Sequence, residues 1–326
     1  VRSSCGSSRG KERSTLGATI CPLRPILAIS LLAACSGGAP SPRRPVDDPP
    51  PPPEDPLAAS ALVADVGWLC NPARAGRGSY QPGAVAAADY IERAFEEAGL
   101  EVVRQPIIDG GIDNVIGIRR AGRDAVLVSA HYDHLGVDTS GRVFPGADDN
   151  ASGAAVLLGL ARTAATRSYR HTILFAAFGA EEVGLVGSGV YVARPVWPLE
   201  RTVAVLNFDM VGRNFFEWGS NREAAAGVVG LEGHPELLAA ARRAGAEAGL
   251  DLIAVPAHLV ELFGFEDRTD EWWFRRRGML AIHISTSLHD DYHKPSDTPD
   301  RLVPAQLERV ARTSAGLLDV LAARKK

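Results

Sequence analysis

The chain has 326 residues, a formal charge of −4 and a hydrophobic fraction of 46%. That is enough to bury a large core in one α/β domain or two smaller ones. The slightly acidic balance, with a pI near 6.1, excludes the basic footprint that nucleic-acid binding requires.

The first 35 residues read as an export leader. Arg2, Arg9, Lys11, Arg13 and Arg24 precede the apolar run "PILAISLLAA", which ends at Cys35. A basic region, a short apolar stretch and small residues before the cut describe a secretory signal. The run is roughly ten residues, whereas a bilayer span takes about 20. Leu32-Ala33-Ala34-Cys35 resembles a bacterial lipoprotein signal, in which the cysteine becomes the lipidated N-terminus. The expectation is therefore an exported, lipid-anchored protein of the bacterial cell envelope, touching the membrane only through Cys35. Residues 36–56, "SGGAPSPRRPVDDPPPPPEDP", lack apolar periodicity and read as a semi-rigid, Pro-rich spacer. With Cys35 acylated, Cys70 has no intrachain partner in the mature protein.

Residues 57–326 alternate helix-like and strand-like segments. "GAVAAADYIERAFEEAGLEVV" places Val85, Tyr90, Ile91, Phe95 and Leu100 at helical spacing before an extended run. "NVIGIRR" and "DAVLVSAHYDH" read as strands, and "SGAAVLLGLARTAAT" as a helix buried against a sheet. "HTILFAAF", "TVAVLNFDM" and "AGVVGLE" read as strands, then "HPELLAAARRAGAEAGL" as a helix. "GMLAIHIST" is a further strand. "PAQLERVARTSAGLLDVLAAR" closes the chain as a helix with Pro304 in its first turn. Near-continuous apolar strands alternating with helices predict a three-layer αβα domain with a mostly parallel, mixed central sheet. Ligands in such folds collect at the carboxyl ends of the strands.

Those ends share one chemistry. "VLVSAHYDH" finishes in His131 and Asp133, and "PGADDNASG" carries Asp148 and Asp149 in a loop before a helix. "ILFAAFGAEE" finishes in Glu181 and Glu182, with no Lys or Arg until Arg194. "VAVLNFDMVGR" contributes Asp209, and "SLHDDYHKPSDT" contributes His289 and His293. Singly, each has a plain structural reading as a turn former, a helix cap or a satisfied core histidine. Five such endings in succession do not. Converging carboxylates cannot all stay ionised in a dry pocket without a cation, and a divalent metal is the simplest one. Mixed nitrogen and oxygen donors suit zinc, with Mn²⁺ or Co²⁺ as substitutes. Five donors exceed one catalytic zinc site and suit two ions sharing a bridging carboxylate.

"HYDH", "GADDNASG", "AEEVGLVGS", "NFDMVGR" and "YHKPSDT", in that order, resemble the co-catalytic zinc aminopeptidases of the leucyl aminopeptidase and aminopeptidase Y type, relatives of glutamate carboxypeptidases and glutaminyl cyclases. The resemblance covers roughly residues 80–324. It implies that His131 and Asp209 bind one zinc and Glu182 and His293 the other, with Asp149 bridging. It makes Glu181 the general base that takes the proton of the attacking water. Asp133 would accept the second N–H of the His131 ring. The implied substrates are peptides with a free N-terminus. Tyr292 is a candidate oxyanion donor. His289 reads either as lining the substrate pocket or, more plainly, as a nearby hydrogen-bonding group, and His134, His171, His234, His258 and His283 read as structural. In "TDEWWFRRRGMLA", Glu271 stands where relatives often have His and Leu280 where they have Pro. Arg275, Arg276 and Arg277 read as a solvated helix face, the alternative being that one of them helps bind an acidic substrate group.

Other reactions on the same scaffold are carboxypeptidase, deacylase or glutaminyl cyclase chemistry. Cyclases of this type use one zinc, so the retention of His131 and Asp209 argues against that one. A non-catalytic surface binding protein would be expected to have lost ligands, and none is lost here.

Overall fold

The computed structural model describes residue 50 and residues 53–107, 111–217, 219–262 and 267–324. The expected leader and most of the spacer lie outside the described residues. Among those residues no helix is long and apolar enough to cross a membrane, and Cys70 is a free thiol.

The chain opens with α1 (Ala59–Leu69) and α2 (Pro82–Glu97), then pairs β1 (Glu101–Pro106) with β2 (Asp113–Arg119). β3 (Ala125–His131) is followed by the small hairpin β4 (Gly136–Val137) and β5 (Val143–Phe144), then α3 (Gly153–Ala164) and β6 (Thr172–Phe178). α4 (Val186–Ala193), β7 (Thr202–Phe208), β8 (Ala225–Val229), α5 (Pro235–Ala248), β9 (Asp251–Ala254) and α6 (Ala257–Leu262) come next. α7 (Trp272–Arg275), β10 (Ala281–Ser285) and α8 (Pro304–Ala323) complete it.

Eight strands form one sheet in the order β1-β2-β6-β3-β7-β10-β8-β9. The four central strands β6, β3, β7 and β10 run parallel; β2 and β8 flank them antiparallel. The three-layer α/β architecture with a mixed sheet is thus the one the strand pattern predicts. β3 and β6 are buried along their whole length, which explains why they read as unbroken apolar runs rather than alternating ones. Their side chains divide between the faces at period two. Val126, Val128, Ile173 and Phe175 pack with α1, α2, α3 and α8 on one side. Leu127, Leu174 and Phe178 pack with Tyr191 of α4 and Phe274 of α7 on the other. The site is positioned by this sheet. Four neighbouring parallel strands bring four sequence-distant carboxyl ends to one edge.

Candidate metal centre

His131 is the last residue of β3 and lies in register with Phe178, the last of β6. Three residues beyond Phe178 stands Glu181, and Asp209 follows β7 directly. Three non-glycine residues here hold left-handed φ: Ala180 (56°), Met210 (55°) and His293 (55°). Such backbone is costly away from glycine and clusters where chain direction must change sharply at a site. Ala180 and Met210 each adjoin an acidic residue of the cluster.

The structure brings together all five residues that the motifs single out as metal ligands. His131 Nε2 lies 3.4 Å from Asp149 Oδ1 and 3.5 Å from Asp209 Oδ1. His293 Nε2 lies 3.1 Å from Asp149 Oδ2 and 3.1 Å from Glu182 Oε2. Asp149 therefore serves both groups, one oxygen each. Two donors that share a tetrahedral zinc at about 2 Å are roughly 3.3 Å apart, and these four pairs have that spacing; the sets whose donor atoms all lie within 4.8 Å of one another are His131, Glu181 and Asp209, and His134, Asp149 and Glu182. Asp209 Oδ1 gives an independent sign: it is buried with no hydrogen-bond donor among the described residues. A buried carboxylate oxygen in that state is costly unless a cation claims it. Glu181 is close, with Oε2 4.0 Å from His131 Nε2. It belongs to neither short pair.

Asp133 differs in detail from the expectation. His131 Nδ1 meets the main-chain carbonyl of Asp133 at 3.2 Å, while the carboxylate Oδ1 is 3.8 Å away. That carboxylate is already committed: the Ser79 hydroxyl donates to Oδ2 at 2.5 Å and the Glu181 amide to Oδ1 at 3.1 Å. Asp133 thereby ties the His131 segment to the Glu181 turn.

His134 is the residue that sequence reasoning passed over. Its fully buried ring places Nδ1 2.7 Å from Glu182 Oε1 and 3.6 Å from Asp149 Oδ2. It holds the Glu182 oxygen that faces away from His293. The spacing His131-x-x-His134 was visible in "HYDH", but a strand-end pattern alone does not say that both rings turn into one pocket. Gly146 makes room for this ring. It sits at φ 60°, and a Cβ there would come within 2.4 Å of the His134 ring.

A further buried set supports Asp149 from below. The carboxylate of Asp297 accepts the amides of Asp148 (3.0 Å) and Asp149 (3.1 Å). Asp148 Oδ1 accepts the Gly212 amide at 2.6 Å, and its Oδ2 lies 3.2 Å from His289 Nε2. Of the neighbours in "ADDN", Asp149 faces the site and Asp148 faces this scaffold. His289 acts with the scaffold, as its plain reading anticipates.

The electrostatics follow from this crowding. Burial raises the Glu181 carboxyl well above its ordinary range; His131 opposes the rise, while Asp209, Asp270 and Glu182 add to it. Burial also raises Asp209. Asp149 goes the other way: burial would raise it, but His134, His131 and His293 outweigh that and hold it well below the carboxylate range. Burial alone would lower His293, yet its bonds to Asp149 and Glu182 push it up to about 10. The Tyr292 ring stacks on His293 at 3.8 Å between centroids. Burial, reinforced by the Asp149 and Asp209 carboxylates, keeps its phenol protonated.

The departures in "TDEWWFRRRGMLA" are absorbed locally. Glu271 is buried, accepts from Thr269 at 2.8 Å and Asn207 at 3.3 Å, and lies 3.4 Å from His283 Nδ1. Arg276 and Arg277 are exposed, and Arg275 is half-buried. Asp270, which the motifs did not flag, is fully buried with neither oxygen hydrogen-bonded in good geometry. The neighbouring Ser188 hydroxyl donates to the Leu185 carbonyl at 3.2 Å, and burial pushes Asp270 up to about 7.

Comparison with known proteins places this geometry in a family. Aminopeptidase YwaD of Bacillus subtilis is 40% identical over 107 residues, which is 31% of this chain and 22% of YwaD. The chain thus spans about a fifth of that relative. YfbL of Escherichia coli, an uncharacterised protein, is 25% identical over 72% of this chain and 79% of its own. The fold matches that of BSAP, a zinc aminopeptidase from Bacillus subtilis, with a TM-score of 0.67 at 18% identity, over 84% of this chain and 98% of that one. LapB of Legionella pneumophila matches with a TM-score of 0.68 at 19% identity, over 82% of this chain and 73% of its own. The profile of peptidase family M28 matches residues 114–318, a segment that holds every one of the clustered donors, and the chain belongs to that family.

Proposed function

We propose that the chain is a zinc-dependent aminopeptidase that holds two ions and hydrolyses the N-terminal peptide bond of peptides. The observation that carries this reading is the division of Asp149 between His131 and His293, with an additional carboxylate attached to each imidazole. His131 and Asp209 would hold one ion, His293 and Glu182 the other, and Asp149 both. Zinc, when bound, supplies a Lewis acid that polarises the scissile carbonyl and makes water more acidic.

The remaining work falls to side chains. Glu181 lies beside His131 but outside the short donor pairs, and burial with the neighbouring carboxylates raises its affinity for a proton, so it is placed to take the proton of the attacking water. The same carboxyl then delivers that proton to the leaving amine. Asp133 fixes the Glu181 turn through the amide bond, so the base is presented in one orientation. Tyr292 stays protonated and can donate to the developing oxyanion. His134 steadies Glu182. Selectivity for a free N-terminus rests on charge. Beyond burial, Asp209, Asp270 and Glu182 already raise the proton affinity of Glu181, and a substrate α-ammonium beside these carboxylates would relieve that repulsion. The names of YwaD and BSAP support the aminopeptidase reading over other amide hydrolases. The leader motif supports a further proposal, that the protein is exported and anchored at Cys35.

The test is hydrolysis of a panel of aminoacyl-anilides beside their N-acetylated equivalents, with and without chelator. Chelator-sensitive cleavage of only the free-amine substrates is expected. Cleavage of the blocked ones would replace the reading with a deacylase or another amide hydrolase.

A further inference from the structure

Arg77 is a fully buried arginine that makes no ion pair with a carboxylate among the described residues. Its guanidinium is spent on main-chain carbonyls instead. Nε donates to Tyr132 O at 2.9 Å, Nη1 to Pro145 O at 2.7 Å and Leu69 O at 3.0 Å, and Nη2 to Gly146 O at 2.8 Å. These carbonyls belong to three separate stretches of chain. Tyr132 lies between His131 and Asp133. Pro145 and Gly146 immediately precede the stretch carrying Asp148 and Asp149. Leu69 ends α1.

The backbone around Arg77 makes the same connection. Its own carbonyl accepts the His134 amide at 3.2 Å, Gly78 bridges to His134, and Ser79 donates to the Asp133 carboxylate. Arg77 holds φ at 54°, an unfavourable conformation for a side-chain-bearing residue, which surrounding contacts must maintain.

We propose that Arg77 is a positioning residue for the reaction: its planar fork sets the separation between the segment bearing His131, Asp133 and His134 and the segment bearing Asp149. The inference rests on the metal-dependent reading above. Ions shared between these segments require donor spacings held to a fraction of an ångström. A rigid fork with several donors in fixed directions can span two segments in a way that a single ammonium cannot. The cationic group is bonded to main-chain carbonyls and to no carboxylate among the described residues, so it does not compete with an ion for the acidic side chains.

The experiment compares the zinc-loaded wild-type protein with Arg77→Lys and Arg77→Met, and with Arg162→Lys as a control. Arg162 is also largely buried, but its partner is Asp65, at 2.6 Å, away from the cluster. Zinc affinity is measured by competition with a chromophoric chelator. The visible absorption of the Co²⁺-substituted proteins is recorded, and kcat and KM are determined on an aminoacyl-anilide. Folding is followed by circular dichroism.

For both Arg77 variants the expected result is a folded protein with zinc affinity about 10–100-fold weaker, an altered cobalt spectrum and a fall in kcat at little-changed KM. Arg162→Lys should lose thermal stability while keeping the wild-type affinity and spectrum. Wild-type zinc affinity and cobalt spectra in the Arg77 variants would overturn the proposal, and so would failure of both to fold, since Arg77 would then be a folding residue only. A wild-type protein that binds zinc but cleaves no peptide would defeat the functional reading, while affinity and spectrum would still decide the role of Arg77.

Discussion

Asp149 turns one carboxylate oxygen to each of two imidazoles: Oδ1 lies 3.4 Å from His131 Nε2, and Oδ2 lies 3.1 Å from His293 Nε2. The two histidines are 162 positions apart in the chain (293 minus 131), and one short side chain spans the space between them. The predictions below depend on that arrangement and on the groups that hold it.

The adjacent glutamates should separate cleanly. Glu181→Gln keeps the shape but removes the base, so kcat should fall by roughly 10²–10⁴-fold while zinc content stays that of the wild type. Glu182→Gln should instead lose metal, because Glu182 Oε2 is the partner of His293. Metal analysis with steady-state kinetics on both variants checks this. Loss of metal from the Glu181 variant alone would mean that the roles are exchanged.

His134→Ala leaves Glu182 Oε1 without its 2.7 Å partner. Zinc affinity should weaken by about 10–100-fold. His134→Asn, whose amide can occupy the place of Nδ1, should recover much of it. Chelator competition on the two variants is the measurement, and an alanine variant with wild-type affinity would sink this role.

Tyr292→Phe retains the ring stacked on His293 and removes only the hydroxyl. A lost oxyanion donor costs on the order of 10²–10³-fold in kcat, with KM nearly unchanged. A matching rise in KM at constant kcat would show that the hydroxyl binds substrate and does not act on the transition state.

Protein stripped of metal by chelator should lose stability as pH rises from 5 to 9. Burial raises Asp297 to about 6, and Asp270 to about 7, so the folded state retains protons that the unfolded state has released. His293, with burial outweighed by its carboxylate partners, reaches about 10. Its contribution is complete below the unfolded histidine value and is lost as pH climbs through the folded one. All three groups give the native state the larger proton count, so stability falls with rising pH. Asp149 and Glu271, held low by their histidine partners, act in the opposite sense only below about pH 4. Zinc takes the place of the His293 proton, so the loaded protein should show a flatter profile and zinc binding should tighten with pH. Thermal melts of both forms across this range test it. A pH-independent melting temperature in the stripped protein would contradict the sign.

Much of this was legible before any coordinates. Apolar runs such as "TILFAAF" specify central strands, because a strand buried on both faces carries few polar side chains, and those it has, such as Ser129 and Asn207, must find hydrogen-bond partners. His131, Glu181, Glu182 and Asp209 are legible because each interrupts or ends such a run, and a buried acid at that point needs an explanation. Pro304 marks the start of α8 because the first helical turn has no use for its missing N–H. The short and half-exposed elements were less visible. α1 and β9 carry little periodicity, and the four residues of α7 are too few to show any.

The sequence by itself determined the donor types, their order and the strand ends that carry them, because these follow from local chemistry and from periods of two and 3.6. Only the tertiary structure decided which donors meet. Whether His134 turns toward Glu182 and whether Arg77 joins two segments depend on the strand order β6-β3-β7-β10 and on side-chain direction. Those are long-range properties, set by which surfaces pack together, and no local pattern in the chain encodes them.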